Sequence, residues 1–147
     1  MINIIFPTPD FRIKKENVKD FIFDSIRKKW IILTPEEWVR QNIVAYLITT
    51  LHYPPSLIAI EKEIKVNMLK RRCDIVVYKN NSPWLVIECK EPNTSVNEAV
   101  LTQVLNYNIS LEVEYFIITN GRHTYGWKIE NAAPIAIVEL PIYTNPA

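Results

Sequence analysis

Two short apolar segments of the sequence carry charged side chains at positions where charge is unexpected. The first segment, residues 72–77, contains Asp74, and the second, residues 86–90, contains Glu88 and Lys90. Both segments are typical of β-strands, in which alternate side chains point to opposite faces. Glu88 and Lys90 therefore share one face, and Asp74 points away from the apolar side chains next to it. A charged group inside so apolar a run calls for a chemical reason.

That reason could be a metal site. If the two segments pair as a hairpin, the carboxylates of Asp74 and Glu88 lie on neighbouring strands, about 5 Å apart at Cβ. Carboxylates this close repel each other, and a divalent cation removes the conflict. Mg²⁺, or Mn²⁺ in its place, would bind such oxygens and stabilise charge on a phosphodiester. Lys90 would hold or polarise the attacking water. The alternative is an ordinary strand face exposed to solvent.

The elements around these segments predict an α/β domain. Thr34 suits the N-cap of a helix, Pro35 its first position, and Glu37 completes a capping box. Apolar residues at helical spacing continue to the prolines after Tyr53, which end the helix. Strands are predicted over 57–66, 72–78, 83–90, 115–119, 124–130 and 134–140, a second helix over 96–109, and an N-terminal β-hairpin over 11–15 and 18–24. This order predicts a mixed central β-sheet flanked by helices.

Length and charge narrow the class of protein. The chain has 147 residues, of which 48% are apolar, and it is expected to form a single domain over 1–147 with its core at about 34–130. A net charge of +1 argues against indiscriminate coating of DNA, but an acidic metal site would offset a local basic patch. With no apolar run near the ~20 residues of a membrane helix and no secretory signature, we expect a cytoplasmic protein. Its two cysteines, Cys73 and Cys89, are expected to be reduced and buried.

Longer stretches around the charged residues resemble a known family. Residues 35–41, 71–78, 85–90 and 119–121 are together similar to the N-terminal nuclease domain of type I restriction enzyme R subunits, and the similarity extends over roughly residues 20 to 130. The resemblance implies a PD-(D/E)xK restriction-endonuclease-like fold and a magnesium-dependent DNA endonuclease activity. It assigns Asp74 and Glu88 as metal ligands and Lys90 as the catalytic lysine.

The resemblance also implies roles for the first helix. Nucleases of this kind often carry a helix glutamate that completes the metal site, and the Glu-x-x-x-Arg pattern places it at Glu36. Arg40, one turn later, would pair with Glu36 or contact phosphate. On a helical wheel Glu36 falls within the apolar face of the helix and Glu37 at its edge. Glu36 is therefore predicted as the ligand and Glu37 as a capping residue only.

On the second helix, Gln103 and Tyr107 match the Gln-x-x-x-Tyr pattern of RecB-like nucleases. The match implies that Gln103 approaches the active site and that Tyr107 supports it or touches DNA. The alternative is a polar and an aromatic residue that share one helix face.

Basic residues suggest where DNA would lie. Lys70, Arg71 and Arg72 lead directly into the strand of Asp74 and are predicted to contact phosphates. The basic segment 27–29 could do the same or form a solvated loop.

The predicted function is accordingly a magnesium-dependent DNA endonuclease. The alternative is a non-cleaving DNA-binding, regulatory or docking module that retains the fold. The chain carries no Walker A motif, so it is expected to work alone, to work with a separate motor or specificity subunit, or to be a cut-down relative. Double-strand cutting would favour a homodimer, because it usually needs two active sites.

Overall fold

The structure, a computed structural model, describes residues 1–66 and 68–144, without the side chains of residues 66 and 69. Its described part forms two β-sheets and two α-helices. The strands are β1 (Ile13–Glu16), β2 (Lys19–Asp24), β3 (Lys29–Ile32), β4 (Ile58–Val66), β5 (Leu69–Lys79), β6 (Ser82–Cys89), β7 (Tyr115–Thr119), β8 (Thr124–Glu130) and β9 (Ala133–Ile137). The helices are α1 (Pro35–Ala45) and α2 (Glu98–Asn108).

The N-terminal sheet has three antiparallel strands in the order β1-β2-β3. The predicted hairpin is therefore extended by a third strand. The backbone N–H groups of Ile26 and Arg27 donate to Oδ1 of Asp24 at 2.7 and 2.9 Å. This side-chain turn sends the chain back along β2, so that Lys29 pairs with Asp24.

The second sheet has six strands in the order β4-β5-β6-β7-β8-β9. Neighbours are antiparallel except β6 and β7, which run parallel and are connected through α2. A parallel pair requires such a crossover. Asn80 and Asn81 both have positive φ and form the two-residue turn between β5 and β6, which matches the twist of the strands. The prediction of a mixed sheet is confirmed.

The two helices cover opposite faces of this sheet. On one face Val39, Ile43 and Leu47 of α1 and its continuation pack in a cluster with Ile75 and Ile87. On the other face Val104 and Leu105 of α2 pack against a second cluster that includes Val76, Val86 and Phe116. After α1 the chain makes a π-helical turn, Tyr46–Thr50, and then leaves the helix before the prolines, as predicted. Among the described helices, none combines the length and the apolar character needed to span a membrane.

Candidate active site

Asp74 lies at a fork where β5 and β6 separate. Ile75 and Ile87 form a regular antiparallel pair. Next to that pair the backbone N–H of Cys89 donates to Oδ2 of Asp74 at 2.8 Å. A side-chain carboxylate thus accepts the hydrogen bond that a backbone carbonyl would accept in a regular β-ladder. On the other side of β5, Glu61 has a φ of +50° inside β4. Such a local distortion changes where side chains point, and here it occurs beside Asp74.

Glu88 lies next to this fork and is partly buried. Burial raises the pKa of the Glu88 carboxyl; the positive charge of Lys90 opposes that shift, and the negative charge of Asp74 adds to it. Arg71 and Nδ2 of Asn108, which donates to Glu88 Oε2 at 3.5 Å, favour the charged form. The charges of Asp74 and Lys90 therefore both act on Glu88, but the two carboxylates have different partners: Asp74 binds Arg40 of α1, and Glu88 accepts from Asn108 of α2.

A groove of about 540 Å³ opens between β6 and α2, and its lining includes four of the predicted residues. Glu88, Lys90, Gln103 and Tyr107 all line it, so both helix residues of the Gln-x-x-x-Tyr pattern reach the side of the sheet that carries Glu88. Asp74 does not line this groove; its carboxylate lies at the fork, between Arg40 of α1 and the backbone N–H of Cys89.

Three basic residues precede Asp74 on β5, and one of them contacts the groove. The guanidinium of Arg71 lies 3.3 Å from the ring centroid of Tyr107, and its Nη2 donates to the Tyr107 carbonyl at 2.9 Å. Arg72 is 71% exposed in its side chain and contacts Glu61 at 3.0 Å. Lys70 is exposed on the same strand. Arg71 therefore lies against a residue that lines the groove, whereas Arg72 contacts Glu61, which also binds Arg27 and lies near Arg40.

Arg40 occupies the opposite side of Asp74. Its Nη2 donates to Asp74 Oδ1 at 2.8 Å and its Nη1 to Glu37 Oε1 at 2.5 Å, while Glu36 Oε2 lies 3.4 Å from Nη2. The Arg40 side chain is only 4% exposed. Burial by itself would lower the pKa of Arg40, but Asp74 and Glu37 raise it above its ordinary value. Arg40 is therefore a fixed positive charge against Asp74.

The helical-wheel placement of the two helix glutamates is wrong. The Glu36 side chain is 48% exposed, whereas Glu37 is buried. The buried face of α1 includes the polar residues Glu37, Arg40 and Gln41 as well as apolar residues. A helical wheel that counts only apolar residues therefore misplaces the buried face. Glu36 shares Nη2 of Arg40 with Asp74, and its assignment as a metal ligand stays a prediction.

The capping box of α1 forms only in part. The backbone N–H of Glu37 donates to Thr34 Oγ1 at 3.0 Å, as predicted. The Glu37 carboxylate, however, accepts from Arg40, Arg27 and Gln41. Glu37 is thus a link in a network of charges and not only a capping residue.

Arg27 belongs to the same network, which sequence reasoning missed. Its guanidinium donates to Asp24 at 2.5 Å, Glu37 at 2.8 Å and Glu61 at 3.3 Å. The Arg27 side chain is largely buried in these ion pairs, so it is neither free to contact DNA nor part of a solvated loop. Both predictions are wrong for Arg27. An available signal was Asp24 itself, an acid directly after an apolar strand and three residues before an arginine. No comparable signal marks Glu61, which lies in an alternating strand pattern.

The donor set at the fork suits a hard divalent cation. Among the described residues no three His, Cys, Asp or Glu side chains converge on one point. Asp74 and Glu88 nevertheless offer two carboxylates, and Mg²⁺ commonly takes one or two carboxylates and completes its shell with water. The cysteines do not fit as ligands: burial, followed by Glu88 and Asp74, raises the pKa of Cys73 to about 11. Both cysteines are free and buried, as predicted.

Comparison with known proteins agrees with the resemblance seen in the sequence. A family model described as the N terminus of the type I restriction enzyme R protein matches residues 35–141. The matched part runs from α1 past β9 and includes every residue of the fork and the groove. Neither the curated proteins nor the solved structures contain a significant match. Because the family match spans well over half of the sequence, the chain belongs to the type I restriction enzyme R protein N-terminal family, which relates it to restriction.

Proposed function

We propose that this domain is a magnesium-dependent DNA endonuclease of the PD-(D/E)xK type. The observation that supports this most strongly is the fork, where Asp74 accepts a hydrogen bond from Cys89 while Glu88 and Lys90 flank that residue. The two acids lie on adjacent strands, Lys90 directly follows β6, and the charges of Asp74 and Lys90 both act on Glu88. Family membership supports the same assignment.

Each residue has a distinct part in the proposed hydrolysis. Asp74 and Glu88 would hold Mg²⁺ or Mn²⁺, and the exposed carboxylate of Glu36 is the proposed third ligand. When bound, the ion supplies positive charge beside the scissile phosphodiester. Lys90 donates hydrogen bonds to the attacking water or to the phosphate, a role that suits a compact ammonium group. Gln103, which lines the same groove, orients these groups through its amide.

The DNA backbone would follow the basic side chains at the start of β5. Lys70, Arg71 and Arg72 lie on β5 next to the fork and would contact phosphates, which gives affinity without sequence specificity. Tyr107 is 63% exposed at the rim and would pack against the nucleic acid. Arg40 could reach a phosphate only if it released Asp74, because its side chain is buried in ion pairs.

A second candidate function is a non-cleaving DNA-binding or docking module. One observation favours it: both carboxylate oxygens of Asp74 already have donors, Oδ1 from Arg40 and Oδ2 from Cys89. Binding of a cation by Asp74 would require the Arg40 contact to change. An endonuclease and a DNA-binding module would both work with DNA, and the proposed protein partner is a separate motor or specificity subunit or a second copy of the domain.

Cleavage of supercoiled and linear DNA in Mg²⁺ or Mn²⁺ tests the proposal. Wild type is compared with Asp74→Ala and Lys90→Ala, and with Asp20→Ala and Lys19→Ala on the exposed part of β2 as matched controls. Loss of a group that stabilises the transition state lowers such rates by about 10²–10³-fold. We expect that loss in both site variants and wild-type rates in both controls.

Metal binding separates the remaining outcomes. A ligand at 100 times its dissociation constant stabilises a protein by about 2.7 kcal/mol, which a thermal shift detects. If wild type binds the metal but does not cut, and Asp74→Ala abolishes binding, the metal site is correct and cleavage requires a partner. If wild type neither cuts nor responds to metal, the endonuclease proposal is wrong and the docking module replaces it.

A further inference from the structure

The turn between β7 and β8 presents two hydrogen-bond donors to a second cavity. Arg122 and His123 lie beside a polar concavity of about 340 Å³ between this turn and the loop of residues 92–97. Its lining within the described chain includes no Asp or Glu. Thr94 and Ser95 line both this cavity and the groove of Glu88 and Lys90, so the two concavities share a wall.

A buried asparagine fixes this turn. Asn120 is 3% exposed, and its Oδ1 accepts from the backbone N–H groups of Arg122 at 2.9 Å and His123 at 2.7 Å. Its Nδ2 donates to the carbonyl of Thr94 at 3.0 Å, which ties the turn to the loop on the other side of the cavity. The turn is therefore preorganised, and a ligand bound there would have little backbone to order.

Arg122 differs from the other arginines of the chain in its partners. Arg27, Arg40 and Arg72 form ion pairs, and Arg12 and Arg71 lie over aromatic rings. Arg122 makes neither kind of contact with the described residues and is exposed at the edge of the cavity. The cavity beside Arg122 is lined by hydroxyl and amide groups, with no carboxylate among its described residues. A guanidinium without an ion-pair partner in such surroundings suits an anion with several oxygens.

We propose that the turn of residues 120–123 is a second phosphate-binding site for the DNA strand whose scissile phosphate lies at Glu88 and Lys90. The inference rests on the proposed nuclease function. In the sheet, β6 lies between β5 and β7, so the cations of β5 and Arg122 flank the strand of Glu88 on both sides. The backbone of one strand would pass from the groove over Thr94 and Ser95 to Arg122. Two anchored phosphates would fix the direction and position of the strand at the fork.

Salt-dependent binding of a fluorescent DNA duplex tests this site without relying on catalysis. Fluorescence anisotropy is measured in the absence of divalent metal for wild type, Arg122→Gln and Lys128→Gln. Cleavage of the same duplex is followed in separate reactions that contain Mg²⁺. Lys128 is the matched control, because it lies on the same β-hairpin but near the opposite end from the turn. Thermal unfolding confirms that both variants are folded.

One phosphate contact contributes about 0.9 to the slope of log affinity against log salt. Between about 50 and 200 mM salt, wild-type affinity should therefore fall about 3.5-fold more than that of Arg122→Gln. Lys128→Gln should follow wild type. The inference is overturned if Arg122→Gln keeps the wild-type slope and affinity, and also if wild type does not bind the duplex. A reduced slope would support the phosphate site even if wild type does not cut; only a lack of both cutting and metal binding would count against the endonuclease.

Discussion

Replacement of Asp24 by alanine tests whether the charge network that supports the fork also stabilises the fold. Asp24 is 1% exposed at the end of β2. Its carboxylate accepts from the N–H groups of Ile26 and Arg27, from Nε of Arg27 at 2.5 Å and from Nε2 of Gln41 at 3.0 Å. Asp24→Ala would remove the acceptor for all four donors and the anion beside Arg27.

The expected loss follows from the type of contact. Removing one partner of a buried ion pair costs about 3–5 kcal/mol, because the other charge is left uncompensated. Arg27 would keep Glu37 at 2.8 Å and Glu61 at 3.3 Å, which favours the lower end of that range. We therefore expect about 3 kcal/mol, a large part of the ~5–15 kcal/mol that stabilises a domain. At this chain length, such a loss lowers the unfolding temperature by roughly 6–12 °C.

Urea unfolding near pH 7 measures this difference, with Asp20→Ala as the control on an exposed position of the same strand. Burial would raise the pKa of Asp24, but hydrogen bonds and the charge of Arg27 outweigh it and hold the pKa below the ordinary value of 3.8. The stabilisation by Asp24 is thus present above that value and is lost as pH falls through the folded-state pKa. The gap between wild type and Asp24→Ala should close in that acidic range. Equal stability of the two alanine variants at neutral pH would refute the reasoning.

Three further predictions concern the cap, the turn and the thiols. Thr34→Ala removes the oxygen that caps α1 and should lower the free energy of unfolding, measured in urea, by about 1 kcal/mol. An unchanged midpoint would show that the cap does not stabilise the protein. Gly121→Ala should lower the free energy of unfolding by about 1–2 kcal/mol in the same assay, because Gly121 has a φ of +86° and an added Cβ would lie 3.2 Å from Val39. Wild-type stability of this variant would contradict that geometry. Cys73 and Cys89 are 7% and 1% exposed and should resist iodoacetamide in the native state but react in denaturant, as followed by mass spectrometry; rapid native labelling would show that the fork opens.

The fold was largely predictable because its elements carry local signals. The N-cap at Thr34, the Asn80-Asn81 turn and the apolar runs of β5 and β6 each depend on neighbouring residues, and the bounds predicted from them agree closely with the structure. The third strand of the N-terminal sheet was missed for a physical reason. Lys29 begins it within a basic segment, and the turn that directs it depends on the Asp24 side chain and not on glycine or proline.

Asp74, Glu88 and Lys90 could be proposed from the sequence because charge in or next to an apolar strand is visible there. Strand alternation, however, fails at Asp74: Cys73 packs in the cluster of Val76 and Val86, whereas Ile75 packs in the cluster of Ile87. Glu37 was misjudged, because a helical wheel assigns the buried face by apolar residues, while α1 buries a glutamate against Arg40. Only the tertiary structure shows that pairing.

The charge network makes the N-terminal sheet part of the support of the site. Arg27 joins Asp24 of that sheet to Glu37, Glu37 binds Arg40, and Arg40 binds Asp74. Asp24 and Arg27 lie outside the core predicted at about 34–130, yet they form one end of the chain of contacts that reaches the fork. Because each buried charge in this chain needs its neighbour, we expect a change at Asp24 or Arg27 to alter the position of Arg40. If Asp74 holds a cation as proposed, its Oδ1 must be released by Arg40, so the N-terminal sheet would influence metal binding without contributing a ligand.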